Sequence, residues 1–192
     1  KIWETLRGSR ILITGGTGFF GRWVLGSLLY ANKVLDTRIE IVVMSRDPER
    51  FLVQFPEANA PCLEFFEGDI RNCEFPDEEF QSILHMATDS VFAYDEKHLQ
   101  LADSILFGTR RLLDHAVGCA KPDRFLLVST GAVYGSHTDS ISPIHENTQL
   151  APSTSDPQSL IGNTKRSAEQ MCTLFHQQFD LQTKIARCFS FL

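Results

Sequence analysis

Residues 14–21 read Thr-Gly-Gly-Thr-Gly-Phe-Phe-Gly; they follow the apolar run of residues 10–13 and open an amphipathic stretch. This order predicts a strand, a glycine turn and the start of a helix. Gly15 permits the tight turn, Gly18 lets the backbone approach a pyrophosphate, and Gly21 lets helix and strand pack closely. Because the helix N-terminus then faces the anion, the stretch predicts a dinucleotide site rather than an ordinary turn.

Short β-rich runs alternate with helical patterns along the whole chain, which predicts parallel strands joined by right-handed crossovers. The expected fold is an α/β, Rossmann-type doubly wound parallel sheet with helices on both faces. Apolar residues at steps of three and four predict a long helix from 99 that ends near Gly118. The polar segment 135–159 is predicted to be a loop that covers substrate. The predicted strands are 10–14, 38–44, 63–66, 82–86, 124–129 and 183–187.

Composition excludes several classes of protein. The 192 residues, 43% of them hydrophobic, suffice for one domain with a sizeable core. A net charge of -6 without a long basic run argues against a nucleic-acid partner. No apolar stretch approaches the roughly 20 residues of a membrane span. The five cysteines are scattered and lack metal-ligand spacing, so we expect no metal and reduced thiols in a cytoplasmic protein.

The Gly-x-x-Gly-x-x-Gly spacing resembles the extended short-chain dehydrogenase/reductase family, which includes nucleotide-sugar epimerases, dehydratases and reductases. Further similar motifs lie at 68–70, 85–88, 129–135 and 162–169. The resemblance covers nearly the whole chain and implies that residues 1–192 form an NAD(P)-binding Rossmann domain. Family members usually continue with a smaller C-terminal substrate domain, which we expect to be largely absent from this sequence.

The resemblance also implies a set of cofactor-binding residues. Phe189 belongs to a segment like the family's Arg-x-Phe-Asn, which brackets the nicotinamide. Asp69 is expected to accept from the adenine amine, although a turn role is the alternative. His85 is expected to be a packed strand-end histidine. The implied cofactor-binding residues are Gly15, Thr17, Gly18, Phe19, Phe20, Gly21, Ser45, Arg46, Asp69, Ile70, Met86, Ala87, Thr88, Lys165 and Phe189.

The residues after the second strand favour NADP over NAD. NAD-binding members usually have an acidic residue here, but this sequence has Ser45-Arg46-Asp47. Arg46 can pair with a 2′-phosphate and Ser45 can donate to it, with Arg50 one turn later placed to assist. In the alternative reading Arg46 is a solvated loop arginine and Asp47 reaches back to the ribose.

Residues 128–135 resemble the family's Ser-Ser/Thr-x-x-Val-Tyr-Gly motif. Thr130 is then the hydroxyl that hydrogen-bonds the reacting carbonyl or alcohol, with a strand-end cap as the alternative. Dehydratases carry acidic residues next, so Gly131 and Ala132 argue against dehydration. The implied substrate-contacting residues are Thr130, Gly131, Ala132 and Ser190, the last replacing a usual asparagine.

The family's Tyr-x-x-x-Lys pattern is altered in this chain. Lys165 is present, but Ile161 occupies the tyrosine position and cannot exchange a proton. Loss of such an acid/base group typically costs about 10²–10⁴-fold in rate. The implied catalytic positions are therefore Thr130, Lys165 and the altered Ile161, where isoleucine is either introduced or natural. Tyr134 is expected to pack, with a substitute phenol as the alternative.

Two functional hypotheses follow from these motifs. The first is an NAD(P)-dependent epimerase or keto-reductase that transfers hydride at a carbon of a nucleotide-activated sugar. The second is a catalytically impaired dinucleotide-binding sensor or scaffold. The helices predicted around 98–119 and 159–179 suggest a homodimer interface. Packing in the core is the alternative explanation of the apolar stripes on these two helices.

Overall fold

A computed structural model describes residues 2–88, 98–135 and 143–189 of the chain. Six parallel strands form one sheet in the order β3-β2-β1-β4-β5-β6. The order reverses between β1 and β4, as in a doubly wound sheet. The predicted fold class is thereby confirmed. The strands are β1 (Arg10–Thr14), β2 (Glu40–Ser45), β3 (Leu63–Glu67), β4 (Ser82–His85), β5 (Arg124–Thr130) and β6 (Thr183–Cys188).

The helices cover both faces of this sheet. A five-residue π-helical turn, Ala116–Ala120, continues the helix before β5, and single 3-10 turns lie at Pro56–Ala58, Gly131–Tyr134 and Pro157–Ser159. The α-helices are α1 (Ile2–Thr5), α2 (Phe19–Leu35), α3 (Pro48–Gln54), α4 (His98–His115) and α5 (Leu160–Phe179). No helix in the described part of the chain is both long and apolar enough to span a membrane.

Alternation along the central strands divides the core between the two sheet faces. In β1, Ile11 and Ile13 belong to the cluster shared with Leu25 and Leu28 of α2, whereas Leu12 points to the opposite cluster. That second cluster contains Leu112 of α4 together with side chains of α5. Because strands buried on both faces must be apolar throughout, the continuous Val, Ile and Leu runs of the sequence are explained.

Several element ends differ from the sequence prediction for identifiable backbone reasons. Arg38 was predicted to start the second strand, but its φ of 55° is left-handed, so β2 begins at Glu40. The long helix passes Gly118 in its π-helical turn and ends at Ala120, because the next residue, Lys121, has a left-handed φ of 43°. Helix α2 likewise ends at Leu35, and the next residue, Asp36, is left-handed.

Candidate functional site

The candidate site is a cleft at the carboxyl ends of the strands, where the strand order reverses. Ligands of doubly wound sheets bind at this point, because the helices that follow neighbouring strands leave to opposite faces. Here α2 follows β1 on one face and α4 follows β4 on the other. The cleft holds a cavity of about 260 Å³. It is lined by Gly15, Thr17, Gly18, Met44, Ser45, Arg46, Asp69, Ile70, Met86, Ala87, Thr88 and Ser104.

The glycine turn needs glycine for two different reasons. Gly15 has a φ of 74°, and a Cβ there would lie 2.5 Å from the Ala87 nitrogen of the neighbouring strand end. A Cβ on Gly21 would lie 2.2 Å from the Gly16 carbonyl oxygen. Helix α2 begins after Gly18, which has no side chain to accept from the first-turn N–H groups. The turn therefore presents a helix N-terminus to the cavity, as anion binding requires.

Ten of the fifteen predicted cofactor residues line this cavity: Gly15, Thr17, Gly18, Ser45, Arg46, Asp69, Ile70, Met86, Ala87 and Thr88. Its lining as described does not include Phe19, Phe20, Gly21, Lys165 or Phe189. Two lining residues were missed, Met44 and Ser104. Met44 is the last apolar residue of β2, a position that the strand pattern could have indicated. Ser104 lies within the apolar stripe of α4 and gave no separate signal.

A second cavity of about 250 Å³ adjoins the first and shares Thr17, Ser45 and Arg46 with it. Arg22 and Arg50 also line it, so three arginines surround this space. The other lining residues are Asp47, Phe51 and Gln54.

Two side chains at this second cavity have defined structural contacts. Arg22 donates from Nη2 to Gln54 Oε1 at 3.1 Å and stacks its guanidinium on the Phe51 ring. Asp47 caps α3 by accepting from the Arg50 backbone nitrogen at 2.9 Å. The sequence did not single out Arg22, although it directly follows the last glycine of the turn.

Asp69 is held by its own neighbour Arg71. The Arg71 guanidinium donates to both carboxylate oxygens, and the Arg71 backbone nitrogen donates to Oδ1. These hydrogen bonds lower the pKa of Asp69 to about 2, so the carboxylate is charged at neutral pH. A carboxylate has acceptor capacity beyond these three bonds, and Asp69 also lines the cavity.

His85 is fully enclosed at the base of the cleft. Its Nδ1 lies 2.7 Å from Thr14 Oγ1 and its Nε2 lies 3.0 Å from Thr109 Oγ1. Burial lowers the pKa of His85 to about 3, so the imidazole is neutral. The expectation of a packed strand-end histidine is met. Among the described residues there is no cluster of metal-ligating side chains.

The predicted substrate end forms around the turn Gly131–Tyr134 after β5. Thr130 caps this turn, because its Oγ1 accepts from the Ala132 nitrogen at 3.2 Å. The Phe189 ring covers Gly131, where a Cβ would lie 2.5 Å from ring carbons. Ser190 lies outside the described residues.

Helix α5 packs directly against the same turn. A Cβ on Gly162 would lie 2.4 Å from the Ala132 carbonyl oxygen, so glycine allows this approach. Lys165 is buried and donates from Nζ to the Val128 carbonyl oxygen at 2.9 Å. Burial lowers its pKa to about 8. Ile161 lies one helical turn before Lys165, on the same face of α5.

A buried ionic network links α5 to β5 and β6. Glu169 accepts from Ser129 Oγ at 2.5 Å and from Arg187 Nη2 at 2.8 Å. Arg187 in turn donates from Nη1 to the Tyr134 hydroxyl at 2.7 Å. The Glu169 carboxylate raises the pKa of Arg187, so the guanidinium remains charged. Tyr134 is 5% exposed and its hydroxyl is engaged here, in agreement with the expected packing role.

A larger cavity, of about 900 Å³, lies on the outer side of this network. Its lining includes Pro157 in the 3-10 turn before α5, residues of α5 from Leu160 to Thr173, and His98 at the start of α4. Its lining includes neither the glycine turn nor Thr130, so the smaller cavity at the strand ends is the better candidate for a dinucleotide.

The fold and the position of this cleft are those of a Rossmann-type protein of the extended short-chain dehydrogenase/reductase type. The family model "NAD dependent epimerase/dehydratase family" matches residues 11–192. The chain therefore belongs to the NAD-dependent epimerase/dehydratase family.

Similar curated proteins include both reductases and epimerases. Vestitone reductase of Medicago sativa is 32% identical over an alignment of 134 residues, and the match covers 64% of this chain and 38% of that protein. UDP-glucose 4-epimerase of Rickettsia rickettsii is 29% identical over 128 residues, 65% of this chain and 37% of that protein. The chain thus spans less than half of either relative.

Solved structures share the fold over almost the whole chain. The DesIV dTDP-glucose 4,6-dehydratase of Streptomyces venezuelae, which has NAD bound, is 26% identical with a TM-score of 0.74. The match covers 93% of this chain and 55% of that one. UDP-glucuronic acid 4-epimerase of Bacillus cereus in complex with NAD is 24% identical, with a TM-score of 0.73 over 94% of this chain and 56% of that one.

Proposed function

We propose that residues 1–192 form the dinucleotide-binding part of an epimerase or keto-reductase acting on a nucleotide-activated sugar. The observation that carries this proposal is the glycine-lined cavity at the strand-order reversal, where a Cβ on Gly15 would collide with Ala87. In glycine turns of this kind the absence of side chains lets the backbone come close to a pyrophosphate. Family membership and the named relatives support the same class of reaction.

The chain's residues fit a bound nicotinamide dinucleotide. Gly15, Thr17 and Gly18 are proposed to hold the pyrophosphate at the helix N-terminus, and Asp69, which lines the same cavity, is proposed to accept from the adenine amine. When bound, the dinucleotide supplies the acceptor and donor of hydride. Thr130 is proposed to orient the reacting oxygen with the hydroxyl proton, which its cap to Ala132 leaves available.

We propose that the dinucleotide is NADP rather than NAD. Three arginines surround the cavity beside Ser45, and Asp47, which also lines it, caps α3 by accepting from the Arg50 nitrogen. Guanidinium groups recognise phosphate through charge-assisted hydrogen bonds. The similar solved structures contain NAD, so the proposal of NADP rests on this chain's own residues alone.

Calorimetric titration with NADP and NAD tests this preference. We expect tighter NADP binding, and we expect Arg46→Gln to weaken NADP about 10–100-fold while changing NAD little, because a charge-assisted bond contributes ~1.5–3 kcal/mol. Arg110→Gln, on the exposed side of α4, is the matched control. Equal affinity for both dinucleotides would contradict the preference, and no binding of either would contradict the site itself.

The reaction is tested by replacing Ile161. An isoleucine can neither give nor take a proton, so we expect Ile161→Tyr to raise turnover of a nucleotide sugar by about 10²–10⁴-fold. Ile161→Phe adds a ring of similar size without the hydroxyl and should give no gain. Failure of Ile161→Tyr to turn over any nucleotide sugar, in the full-length protein with the dinucleotide bound, would exclude the enzyme proposal.

Ile161 also favours a second candidate, a dinucleotide-binding sensor or scaffold without turnover. Lys165 supports it as well, because its ammonium group donates to the Val128 carbonyl rather than facing the described cavity. This candidate requires dinucleotide binding together with a partner protein whose affinity depends on the dinucleotide. Either function is proposed for the cytoplasm, since all five cysteines are free.

A further inference from the structure

The loop that joins β3 to β4, residues 68–81, is attached to helix α4 at several points. Asp69 and Ile70, at the start of this loop, line the cavity. The residues that α4 and its π-helical turn contribute to the contacts stand at positions 108, 111, 115 and 119. Because these positions are three or four residues apart, they lie along one face of the helix. This face of α4 therefore supports the loop that carries Asp69.

The first contact lies at the wall of the cavity. Ile70 is buried and packs on Gly108 of α4, where a Cβ would lie 2.8 Å from the Ile70 side chain. Glycine at this position therefore lets the start of the loop lie close against the helix.

Arg111, nearly one turn further along α4, makes the polar contact that leads to Asp69. Its Nη2 donates to the Cys73 carbonyl oxygen. The Cys73 nitrogen in turn donates to the Asp69 carbonyl oxygen at 2.7 Å, so a single residue connects the guanidinium with the Asp69 backbone. The Cys73 side chain is buried and donates from Sγ to Met44 Sδ at 3.5 Å, which attaches the same turn of the loop to β2.

An aromatic ring of the loop supports the Arg111 side chain. The guanidinium carbon lies 6.0 Å from the centroid of the Phe75 ring, and the His115 ring stacks on Phe75 with 4.9 Å between centroids. Further along, Cys119 donates from Sγ to Asp77 Oδ1 at 2.9 Å. Because a free arginine side chain has many rotamers, a fixed ring beside it lowers the entropy cost of the bond to the loop carbonyl.

We propose that Arg111 is a positioning residue for adenine recognition by Asp69. The inference rests on the dinucleotide site of the proposed function, in which Asp69 accepts from the adenine amine. Such a hydrogen bond weakens steeply with distance and angle, so the carboxylate must be held in place. Arg71 fixes the carboxylate relative to its own backbone, and Arg111 fixes that backbone relative to α4. Ser104 of α4 also lines the cavity, so Arg111 joins two parts of its wall.

Calorimetric titration with a modified base tests this role in the full chain. The hypoxanthine analogue of NADP has a carbonyl oxygen where adenine has its amine, so this group cannot donate to Asp69. The amine ratio, defined as the dissociation constant of the analogue divided by that of NADP, measures this one contact. We expect an amine ratio of about 10–100 for the parent and about 1 for Asp69→Ala, because a hydrogen bond to a charged group is lost. If NAD binds more tightly than NADP, NAD and its hypoxanthine analogue are used instead.

Variants of Arg111 should change the amine ratio. Arg111→Leu removes the donor to Cys73 and should lower the ratio by about threefold or more, whereas Arg111→Lys keeps a donor and should retain more of it. In the Asp69→Ala background, Arg111→Leu should have no further effect on the ratio, because the contact through which it acts is absent. Arg110→Leu is the matched control and should leave the ratio unchanged, since Arg110 pairs with Asp114 on the exposed side of α4.

A purely structural role for Arg111 predicts a different result. Partial loss of the fold would weaken the binding of both dinucleotides alike and leave the amine ratio unchanged. Circular dichroism establishes that each variant is folded. If Arg111→Leu does not fold, Phe75→Leu takes its place, because it keeps the arginine but removes the ring beside it, and it should also lower the amine ratio.

Three results would overturn the inference, and each has its own meaning. An amine ratio of the parent's size in folded Arg111→Leu would contradict positioning by Arg111 and leave the dinucleotide site in place. A parent ratio of about 1 would contradict adenine recognition by Asp69. Absence of binding by every dinucleotide would contradict the proposed function itself.

Discussion

At the scale of single residues, His85 connects three elements at the base of the cleft. It ends β4, and its two ring nitrogens contact Thr14 of β1 and Thr109 of α4. Both threonines and the histidine are buried, so each polar atom depends on the others for its hydrogen bond. The depressed pKa of His85 means that protonation would break this arrangement.

The stability of the fold should therefore decrease as pH falls. The unfolded chain binds a proton at His85 below its ordinary pKa of 6.5, whereas the folded chain does so only near 3. The contribution of His85 to the free energy of unfolding is thus fully present above pH 6.5, and it is lost as the pH falls from 6.5 towards 3. We expect His85→Gln to flatten that slope in urea titrations at several pH values, at a cost of about 1–3 kcal/mol at neutral pH. Equal slopes in variant and parent would contradict this assignment.

Residue types and their order were enough to predict many of the residues that line the cavity. Ser45 and Arg46 follow a strand whose apolar run is plain in the sequence, and Asp69 follows the next one. The sequence could not show which partner each polar side chain selects. Asp47 caps its own helix and Lys165 donates to a strand carbonyl, and both choices depend on tertiary distances.

At the scale of elements, the glycine turn controls how α2 leaves β1. Gly21 lies against the backbone of Gly16, whereas Gly26, five residues later on the same helix, lies against open space. The two glycines therefore have opposite consequences for substitution, although helix propensity is the same for both.

We expect Gly21→Ala to destabilise the fold by about 2 kcal/mol or more, because its methyl group would force backbone atoms apart. Gly26→Ala should instead stabilise it by about 0.5–1 kcal/mol, since alanine favours the helix and meets no neighbour. Urea unfolding of both variants at low protein concentration measures the difference. Equal changes in the free energy of unfolding at the two positions would contradict this prediction. They would mean that the backbone of the turn can move to make room for a methyl group on Gly21.

The strands could be predicted from sequence because buried parallel strands are continuously apolar. Their ends were less predictable, since Arg38 is a plausible strand residue by type and is excluded only by its left-handed backbone. The outer face of α2 was also missed. Its aromatic residues Phe19, Trp23 and Tyr30 were compatible with a core position, and only their exposure in the folded chain distinguishes them from core residues.

At the scale of the whole molecule, the strands at the centre of the sheet are more deeply buried than those at its edges. Strand β1 pairs with β2 on one side and β4 on the other, and four of its five residues are buried. Within the described residues, β3 pairs only with β2 and β6 only with β5. No residue of β6 is fully buried. Alternate amides of such edge strands point away from the sheet.

Native-state hydrogen exchange should follow this gradient. We expect amides of β1 to exchange only through global unfolding, with a strong urea dependence, because both core clusters must separate to expose them. Amides of β6 should exchange earlier and with little urea dependence, because opening an edge exposes little apolar surface. Strand β3 is the internal comparison, since it is the other edge of the described sheet. Protection of β6 equal to that of β1 would show that another part of the protein or a partner covers this edge.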